Sequence, residues 1–513
     1  MQSLFNPGDL AVIGPEIGLT IFACLVLLPS LFRGRRNHLA GHLSIALAVA
    51  ALGLLVFTWV SDGGGEPVTA FGGAFVLDRF SQFFKIVVLL SAILAMGMSV
   101  RLLDEDRAQA GEYYALVLFA CVGTMFMVSG LDLLVIWLGL ELLSLSSYVL
   151  CGFLEENRKS SEAALKYFLL GAFSSGILLY GISLIYGTTG STLLPAIRRA
   201  LDSGFEIGPV FQLGVVLMVA GFAFKVAAVP FHQWAPDVYE GAPTGITAFI
   251  STASKGAAFA AILRIFTSGL WSEEVASLWV PLLVVLATAS MVFGNVAALL
   301  QNNVKRMLAY SSIGHAGYIL MGCVAIGSLP SRQGGGLLGA GAGDLYRFGV
   351  AAVLVYVLVY TFSNVGAFGV VASLRRSDRA GERVADFNGL ARNSPLLAFC
   401  MLVFLLSLAG IPATAGFIGK WYLFGAALRA DYAWMAVIAV SMSTVSVYYY
   451  LRVVVAMYMR QPDSAQGARL PVTLVATLAV AVFFTLLIGL FPQPFLDLAT
   501  EGAGQLRGIA FLS

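Results

Sequence analysis

The chain reads as an all-α, polytopic membrane protein of about fourteen transmembrane helices, with two inverted five-helix repeats and two discontinuous helices. Three observations predict this. Of 513 residues, 59% are hydrophobic and only 11% charged, where a soluble domain carries about 25% charged residues. Apolar runs of about 20 residues, enough to cross a hydrocarbon core of about 30 Å, recur from end to end. Two of these runs are broken by proline and carry lysine: 221–255 (GFAFKVAAVPFHQWAPDVYEGAPTGITAFISTASK) and 404–424 (FLLSLAGIPATAGFIGKWYLF).

The predicted spans are 11–31, 42–61, 77–100, 112–129, 131–152, 162–187 and 209–230, followed by 243–267, 275–299, 306–327, 345–373, 395–427, 431–458 and 470–491. The first run has no basic residue before it and Arg33, Arg35 and Arg36 after it, a stop-transfer flank rather than a signal peptide. Orientation follows from the loops, because cytoplasmic loops retain Lys and Arg. With the amino terminus outside, inner loops hold sixteen such residues: Arg33, Arg35, Arg36, Arg101, Arg107, Arg158, Lys159, Lys305, Arg306, Arg375, Arg376, Arg379, Arg383, Arg392, Arg460 and Arg469. Outer segments hold six, Arg198, Arg199, Arg332, Arg347, Arg429 and Arg507, so both termini are expected on the outer side. The outer loop 188–208 fits a short amphipathic helix at the interface. The inner loop 374–394 is polar and basic, a connector or docking segment.

Net charge is +2, which gives no basis for binding nucleic acid. Four histidines and five cysteines without a C-x-x-C pair do not provide a cofactor framework. Cys24, Cys121, Cys151, Cys323 and Cys400 read as small buried hydrophobes. Gly334, Gly336 and Gly339 satisfy G-x-G-x-x-G, but no strand precedes them, so they read as a loop and not a dinucleotide site.

The informative residues are charges inside apolar runs. Eight of the thirty Lys and Arg residues fall within or at the edge of a span: Arg79, Lys85, Lys166, Lys225, Lys255, Arg264, Lys420 and Arg452. A charge at mid-bilayer costs about 2.5–3.5 kcal/mol on the insertion scale, so such residues face a bundle interior and mark ion or proton paths. At about 1.5 Å per residue, Glu141 and Lys255 lie about 18 Å from the inner end of their spans and His315 about 14 Å. Lys420 lies about 11 Å from the outer end. These four form a row in the membrane plane, too deep for snorkelling. Lys225 joins it if the helix broken near Pro230 resumes, which puts His232 and Trp234 inside the membrane too. Lys166, about 9 Å from the inner face, is open to both snorkelling and a path role. Arg79, Arg264 and Arg452 read as structural.

Lys225 and Lys420 each accompany a proline-interrupted run, and such segments in two halves point to inverted repeats with the pathway between them. The halves are set at 112–267 and 275–458, after an amino-terminal three-helix segment 1–111 and before a carboxy-terminal helix and tail 459–513. Burial favours a neutral amine and a nearby carboxylate a charged one, so Lys225 beside Glu141 would form a two-state element. Lys255 and His315 would then pass the proton along the row to Lys420.

The string FKVAAVPFHQWAPDVYEGAPTGITAFISTASK and the run LSLAGIPATAGFIGKWYLF resemble the antiporter-like membrane subunits of respiratory complex I, NADH-quinone oxidoreductase. Within that family, VYEGAP and a lysine at 420 resemble subunit N rather than M or L. The resemblance covers essentially the whole chain. It implies a bacterial inner-membrane location and proton transport driven by quinone reduction elsewhere in the complex. It also implies no redox centre in this chain, with NADH, flavin, iron–sulfur clusters and quinone in partner subunits. Subunits M, K and J are the expected neighbours. By the resemblance Glu141 and Lys225 are the charged pair, Lys255 the connecting lysine and Lys420 the exit-side lysine, while His232 and His315 match family positions. A subunit of a multisubunit cation/proton antiporter shares the lysine row and stays open as an alternative. A stand-alone transporter would need a midplane cluster of substrate-binding polar groups that the sequence does not offer.

Overall fold

In the computed structural model, residues 8–33, 38–61, 65–105, 108–329, 342–375, 381–462 and 470–509 are described. The G-x-G-x-x-G glycines and Arg35, Arg36, Arg107, Arg332, Arg376, Arg379 and Arg469 lie outside them. The chain opens with a one-turn α1 (Asp9–Val12), then α2 (Gly14–Arg33) and α3 (His38–Ser61). A two-stranded antiparallel hairpin, β1 (Val68–Ala70) and β2 (Phe75–Leu77), leads into α4 (Arg79–Glu105). There follow α5 (Ala110–Ser129), α6 (Leu133–Cys151), α7 (Arg158–Thr189), α8 (Leu194–Asp202), α9 (Pro209–Lys225) and α10 (Trp234–Gly241). Next, α11 (Thr244–Phe249) runs through a π turn, Ile250–Ser254, into α12 (Lys255–Arg264) and a second π turn, Ile265–Gly269. Then come α13 (Glu273–Leu299), α14 (Val304–Gly327), α15 (Ala342–Ser373) and a short α16 (Leu390–Asn393). The chain continues through α17 (Pro395–Ala409), α18 (Ala415–Arg429), α19 (Ala433–Met459), α20 (Val472–Leu490) and α21 (Gln493–Ile509).

Among the described residues, eleven helices are long and apolar enough to cross a membrane, and Gly14–Leu28, Pro209–Lys225 and Pro395–Ala409 are shorter apolar helices. A helix apolar all round belongs in an interior, one apolar outward faces lipid. Burial sorts the helices accordingly. The most apolar window of Thr244–Gly269 is 100% buried, and those of Val304–Gly327 and Gly343–Ser373 are 94% buried. By contrast, the windows of Leu39–Ser61 and Ala433–Met459 are 28% buried. Lys255 and His315 thus sit on helices enclosed by the rest of the bundle.

Several elements differ from the sequence expectation, each for a local reason. The run 395–427 is two helices, because Pro412 removes the donor that would bond Leu408 and its ring clashes with that turn. The helix expected to run to about Pro230 stops at Lys225, just before Val226, the residue four ahead of the proline. The tail is helical as α21, which packs on α4 and α15 and accepts the Arg79 amide at Gln505 Oε1, 2.6 Å away. The hairpin before α4 had no signal strong enough to separate it from a loop. Cys24 faces outward, while the other four cysteines are buried. The loop 188–208 does form a short helix, α8, with Leu194, Ile197 and Leu201 buried.

Three buried cations hold the architecture together, two of them among the arginines read as structural. Arg264 forms a bidentate pair with Asp78 at 2.9 and 3.0 Å, both side chains fully buried, and its Nε donates to Val128 O. Lys85 pairs with Glu16 at 2.6 Å and ties α4 to α2. Arg79 donates to Trp59 O at 2.5 Å. Arg452 is half-buried and donates to the carbonyls of Leu299 and Gln301 at the end of α13. Removing one member of a buried pair leaves an uncompensated charge, at a cost of about 3–5 kcal/mol.

Candidate functional site

The first break is built around Lys225. Ala227 turns the chain with φ 59°, and the Trp234 indole donates to the Phe224 carbonyl at 3.0 Å. That carbonyl also accepts the Ala227 amide at 2.9 Å, so the indole adds a second donor at the end of α9. Trp234 also stacks on Tyr167 at 4.5 Å between centroids, and Tyr167 offers its ring to Lys225 Nζ at 5.8 Å. The amine itself donates to Ser144 Oγ at 2.8 Å.

Glu141 lies one turn before Ser144 on α6. Its carboxylate accepts from Ser175 Oγ of α7, a hydroxyl that also accepts from Trp137 Nε1 at 3.0 Å. Among the described residues Lys225 makes no ion pair, so the expected pair is separated, each member resting on its own serine. Glu141 is half-buried on a stripe with exposed Leu134, Leu138, Leu145 and Val149.

Lys255 opens α12 directly after the first π turn, a local widening that often accompanies functional sites. Its amine donates to Ser312 Oγ at 2.5 Å and to the Ser312 carbonyl at 3.2 Å, with the Tyr239 ring at 5.6 Å. One turn beyond Ser312, His315 has a hydroxyl on each ring nitrogen: Tyr356 on Nδ1 at 2.6 Å and Tyr450 on Nε2 at 3.3 Å. A cavity of about 10 Å³ touches Lys255, Ser312, His315 and Tyr360, the space of a single water molecule.

The second break lies between Ala409 and Ala415, with Gly410 at φ 87° and Ala413 at φ 68°. Lys420 reaches back from α18 to the freed carbonyls of Leu408 and Ala409, at 2.9 and 2.8 Å, and to Ser443 Oγ at 2.7 Å. Glycine at 410 is required, since a Cβ there would lie 2.7 Å from Lys420 Cδ. Tyr318 presents its ring to the amine at 5.4 Å.

Thus Lys225, Lys255 and Lys420 share one environment: buried, on a serine hydroxyl, facing a tyrosine ring. Each hydroxyl accepts from its amine, and those of Ser144 and Ser443 give their own proton to the Leu140 and Ala409 carbonyls at 2.6 and 3.1 Å. Aromatic faces add attraction for the charged state.

Two residues of the sequence-derived set lie elsewhere. Lys166 pairs at 2.6 Å with both Glu162 and Asp237, and is 40% exposed, outside the row. Asp237 also accepts from Arg306 at 2.6 Å, and Glu240 accepts from Lys159 at 2.7 Å, so α10 is tied to α7 and α14 by surface charges. His232 sits half-buried in the break, edge-on to Phe293 at 4.7 Å, with no contact to the row. The serines and tyrosines were missed by the sequence reading. A partial signal existed, because Ser144 is three residues from Glu141, and Ser312 and Tyr318 are each three from His315, the spacing of one helix face. Among the described residues no three His, Cys, Asp or Glu side chains converge to hold a metal ion.

Broken helices inside an apolar bundle, with buried amines on serine hydroxyls, define an all-α polytopic membrane protein. The family model "NADH:quinone oxidoreductase/Mrp antiporter, TM" matches residues 130–446. The chain is 45% identical to NADH-quinone oxidoreductase subunit N 2 of Rhizobium meliloti (strain 1021), over 95% of this chain and 96% of that one. It is 42% identical to subunit N 1 of Koribacter versatilis (strain Ellin345), over 99% of each. A chain of respiratory complex I from Thermus thermophilus superposes with TM-score 0.77 at 34% identity, covering 95% of this chain and 99% of that one. A chain of the Mrp complex from Dietzia sp. DQ12-45-1b superposes with TM-score 0.80 at 24% identity, covering 96% of this chain and 97% of that one, a likeness of fold. The chain belongs to the subunit N family of NADH-quinone oxidoreductases.

Proposed function

We propose that this chain is a non-redox, proton-translocating subunit of the membrane arm of an NADH:quinone oxidoreductase. Protons move along Glu141, Lys225, Lys255, His315 and Lys420, driven by quinone reduction in partner subunits. The observation that carries the reading is the shared setting of the three lysines, each buried on a serine hydroxyl beside a tyrosine ring. NADH, flavin, iron–sulfur clusters and quinone belong to the partners. Lys166 serves at the inner mouth, where Asp237 and Glu162 hold it, and His232 contributes to the shape of the break.

In this reading the eleven long spans, with α2, α9 and the broken α17–α18 pair, make fourteen crossings. The inverted repeats are 112–267 and 275–458, flanked by 1–111 and 459–513. Their support is a matched construction. The helices opening the first half, α5 and α6, touch through Gly123 and Gly139, where an added Cβ would meet backbone at 2.6 and 2.7 Å. The corresponding α13 and α14 meet at Gly294 and Gly314, where a Cβ on Gly294 would lie 2.5 Å from the Gly314 amide. Each pair places an ionisable residue just after its second glycine, Glu141 and His315.

The outward stripe around Glu141 is where a neighbouring subunit docks, because a carboxylate facing lipid is costly. Subunits M, K and J are the proposed neighbours, in a bacterial inner membrane with both termini on the outer side. A cation/proton antiporter subunit is the second reading, favoured by the fold shared with the Mrp chain. Purification of the carboxy-terminally tagged chain in mild detergent separates the two. Flavin and iron–sulfur absorbance with NADH:quinone activity is the expected result. Co-purification of small membrane polypeptides alone, without chromophore, would overturn the first reading in favour of the second.

A further inference from the structure

His315 is held in a chain of hydroxyls that the lysine row does not account for. Tyr356 of α15 bonds Nδ1, Tyr450 of α19 bonds Nε2, and Tyr450 in turn bonds Ser311 Oγ at 2.5 Å. All four groups belong to buried residues. At one end Ser311 is adjacent to Ser312, the partner of Lys255. At the other, the Tyr356 ring lies against Gly419, where an added Cβ would meet it at 2.9 Å, one residue before Lys420. We infer that Tyr450 and Tyr356, with Ser311, are proton-relaying residues that carry the proton through His315 between Lys255 and Lys420; this deepens the proposed function and rests on it.

A neutral imidazole with a hydroxyl on each nitrogen must donate to one and accept from the other. In the starting arrangement Ser311 O–H donates to Tyr450, Tyr450 O–H donates to Nε2, and Nδ1–H donates to Tyr356. A proton arriving at the Ser311 oxygen releases the serine's own proton to Tyr450. Tyr450 passes its proton to Nε2, Nδ1 passes its proton to Tyr356, and Tyr356 releases its own toward Lys420. Each O–H or N–H bond broken is matched by one formed, one proton enters, one leaves, and no ion remains. Rotation of the hydroxyls and return of the ring tautomer reset the chain. Tyr449, adjacent in sequence, is engaged differently: its hydroxyl donates to Asn295 Oδ1 at 3.0 Å, on a side branch that closes on Tyr318.

The test uses the whole membrane-embedded complex, with Tyr450→Phe, Tyr356→Phe, Ser311→Ala and Lys225→Ala, reading flavin content, proton transport and its solvent isotope effect. Phenylalanine keeps the ring and removes only the hydroxyl. The expected result is normal flavin content with proton transport lowered about tenfold or more in each tyrosine variant. The isotope effect changes with it, which a packing defect would not produce. Because the groups act in series, Ser311→Ala combined with Tyr450→Phe is no slower than Tyr450→Phe alone. If one tyrosine variant fails to assemble, the other breaks the same chain from the opposite side of the ring. Wild-type transport in Tyr356→Phe and Tyr450→Phe, with transport lost in Lys225→Ala, overturns the relay and leaves the proposed function standing. Wild-type transport in Lys225→Ala removes the functional reading and the relay with it.

Discussion

The two broken helices solve one problem in opposite ways. Each interruption inside lipid frees carbonyls that must find donors within the protein. At the first break the Ala227 amide and the Trp234 indole share the Phe224 carbonyl, and among the described residues Lys225 has a single protein acceptor, Ser144. At the second break the donor is the lysine itself, since Lys420 takes the carbonyls of Leu408 and Ala409 together with Ser443. An ammonium has three protons to give. Lys420 therefore has a protein partner for every proton, and two of those partners are backbone oxygens that can only accept. Lys225 rests on one hydroxyl, whose own proton goes to the Leu140 carbonyl at 2.6 Å. The comparison teaches that the lysine after the second break is itself part of the repair of the backbone, while the lysine before the first break is not. Lys255, with one hydroxyl and one carbonyl, stands between them.

The sharpest way to break this comparison is to remove the amines. Lys225→Ala and Lys420→Ala are each expected to lower coupled proton transport by about a hundredfold, or roughly 2.7 kcal/mol of barrier. Vesicle acidification per NADH oxidised reads this out, and intact transport in either variant excludes that lysine from the path. The serines come next and discriminate between the halves. Ser144→Ala removes the one acceptor that Lys225 has among the described residues and should slow transport about tenfold, the loss of one hydrogen bond to a charged group. Ser443→Ala leaves Lys420 its two carbonyls and should cost about threefold or less. Equal effects would mean the two lysines are held alike.

A third variant reads stability rather than rate. Trp234→Phe leaves the Phe224 carbonyl with the Ala227 amide alone and should destabilise the first break by about 0.5–1.5 kcal/mol, lowering the thermal midpoint of the extracted complex. The second break has no such tryptophan, and Ser443→Ala should leave that midpoint nearly unchanged. The smallest effect is expected from Asp237→Asn at the inner surface. Its partners Lys166 and Arg306 are 40% and 31% exposed, and exposed pairs contribute about 0–1 kcal/mol. A large loss of transport there would move the control point from the breaks to the inner face.

Much of this was legible in the residues. Pro230 and Pro412 announce two breaks, and Lys255, His315 and Lys420, ionisable groups in apolar runs, are buried. What the sequence could not specify was side-chain contact. Glu141 and Lys225 were expected together, yet serines Ser175 and Ser144 take them separately. His232 was counted among the path residues, yet the turn at Ala227 and the seat of Trp234 leave it against Phe293. Lys166 kept two readings until Asp237, far along the chain, came beside it.

By itself the sequence determined the class of protein and the places where helices break. Those follow from one-dimensional quantities: a scarcity of charge, the length of an apolar run, and the donor that proline lacks. Only the tertiary structure decided which hydroxyl meets which amine and which tyrosines flank His315. Serine and tyrosine recur on most of these helices, and helical periodicity fixes the face a residue shares but not the neighbour that face meets. That choice is made by close packing between helices distant in the chain, and it is where the chemistry of the row resides.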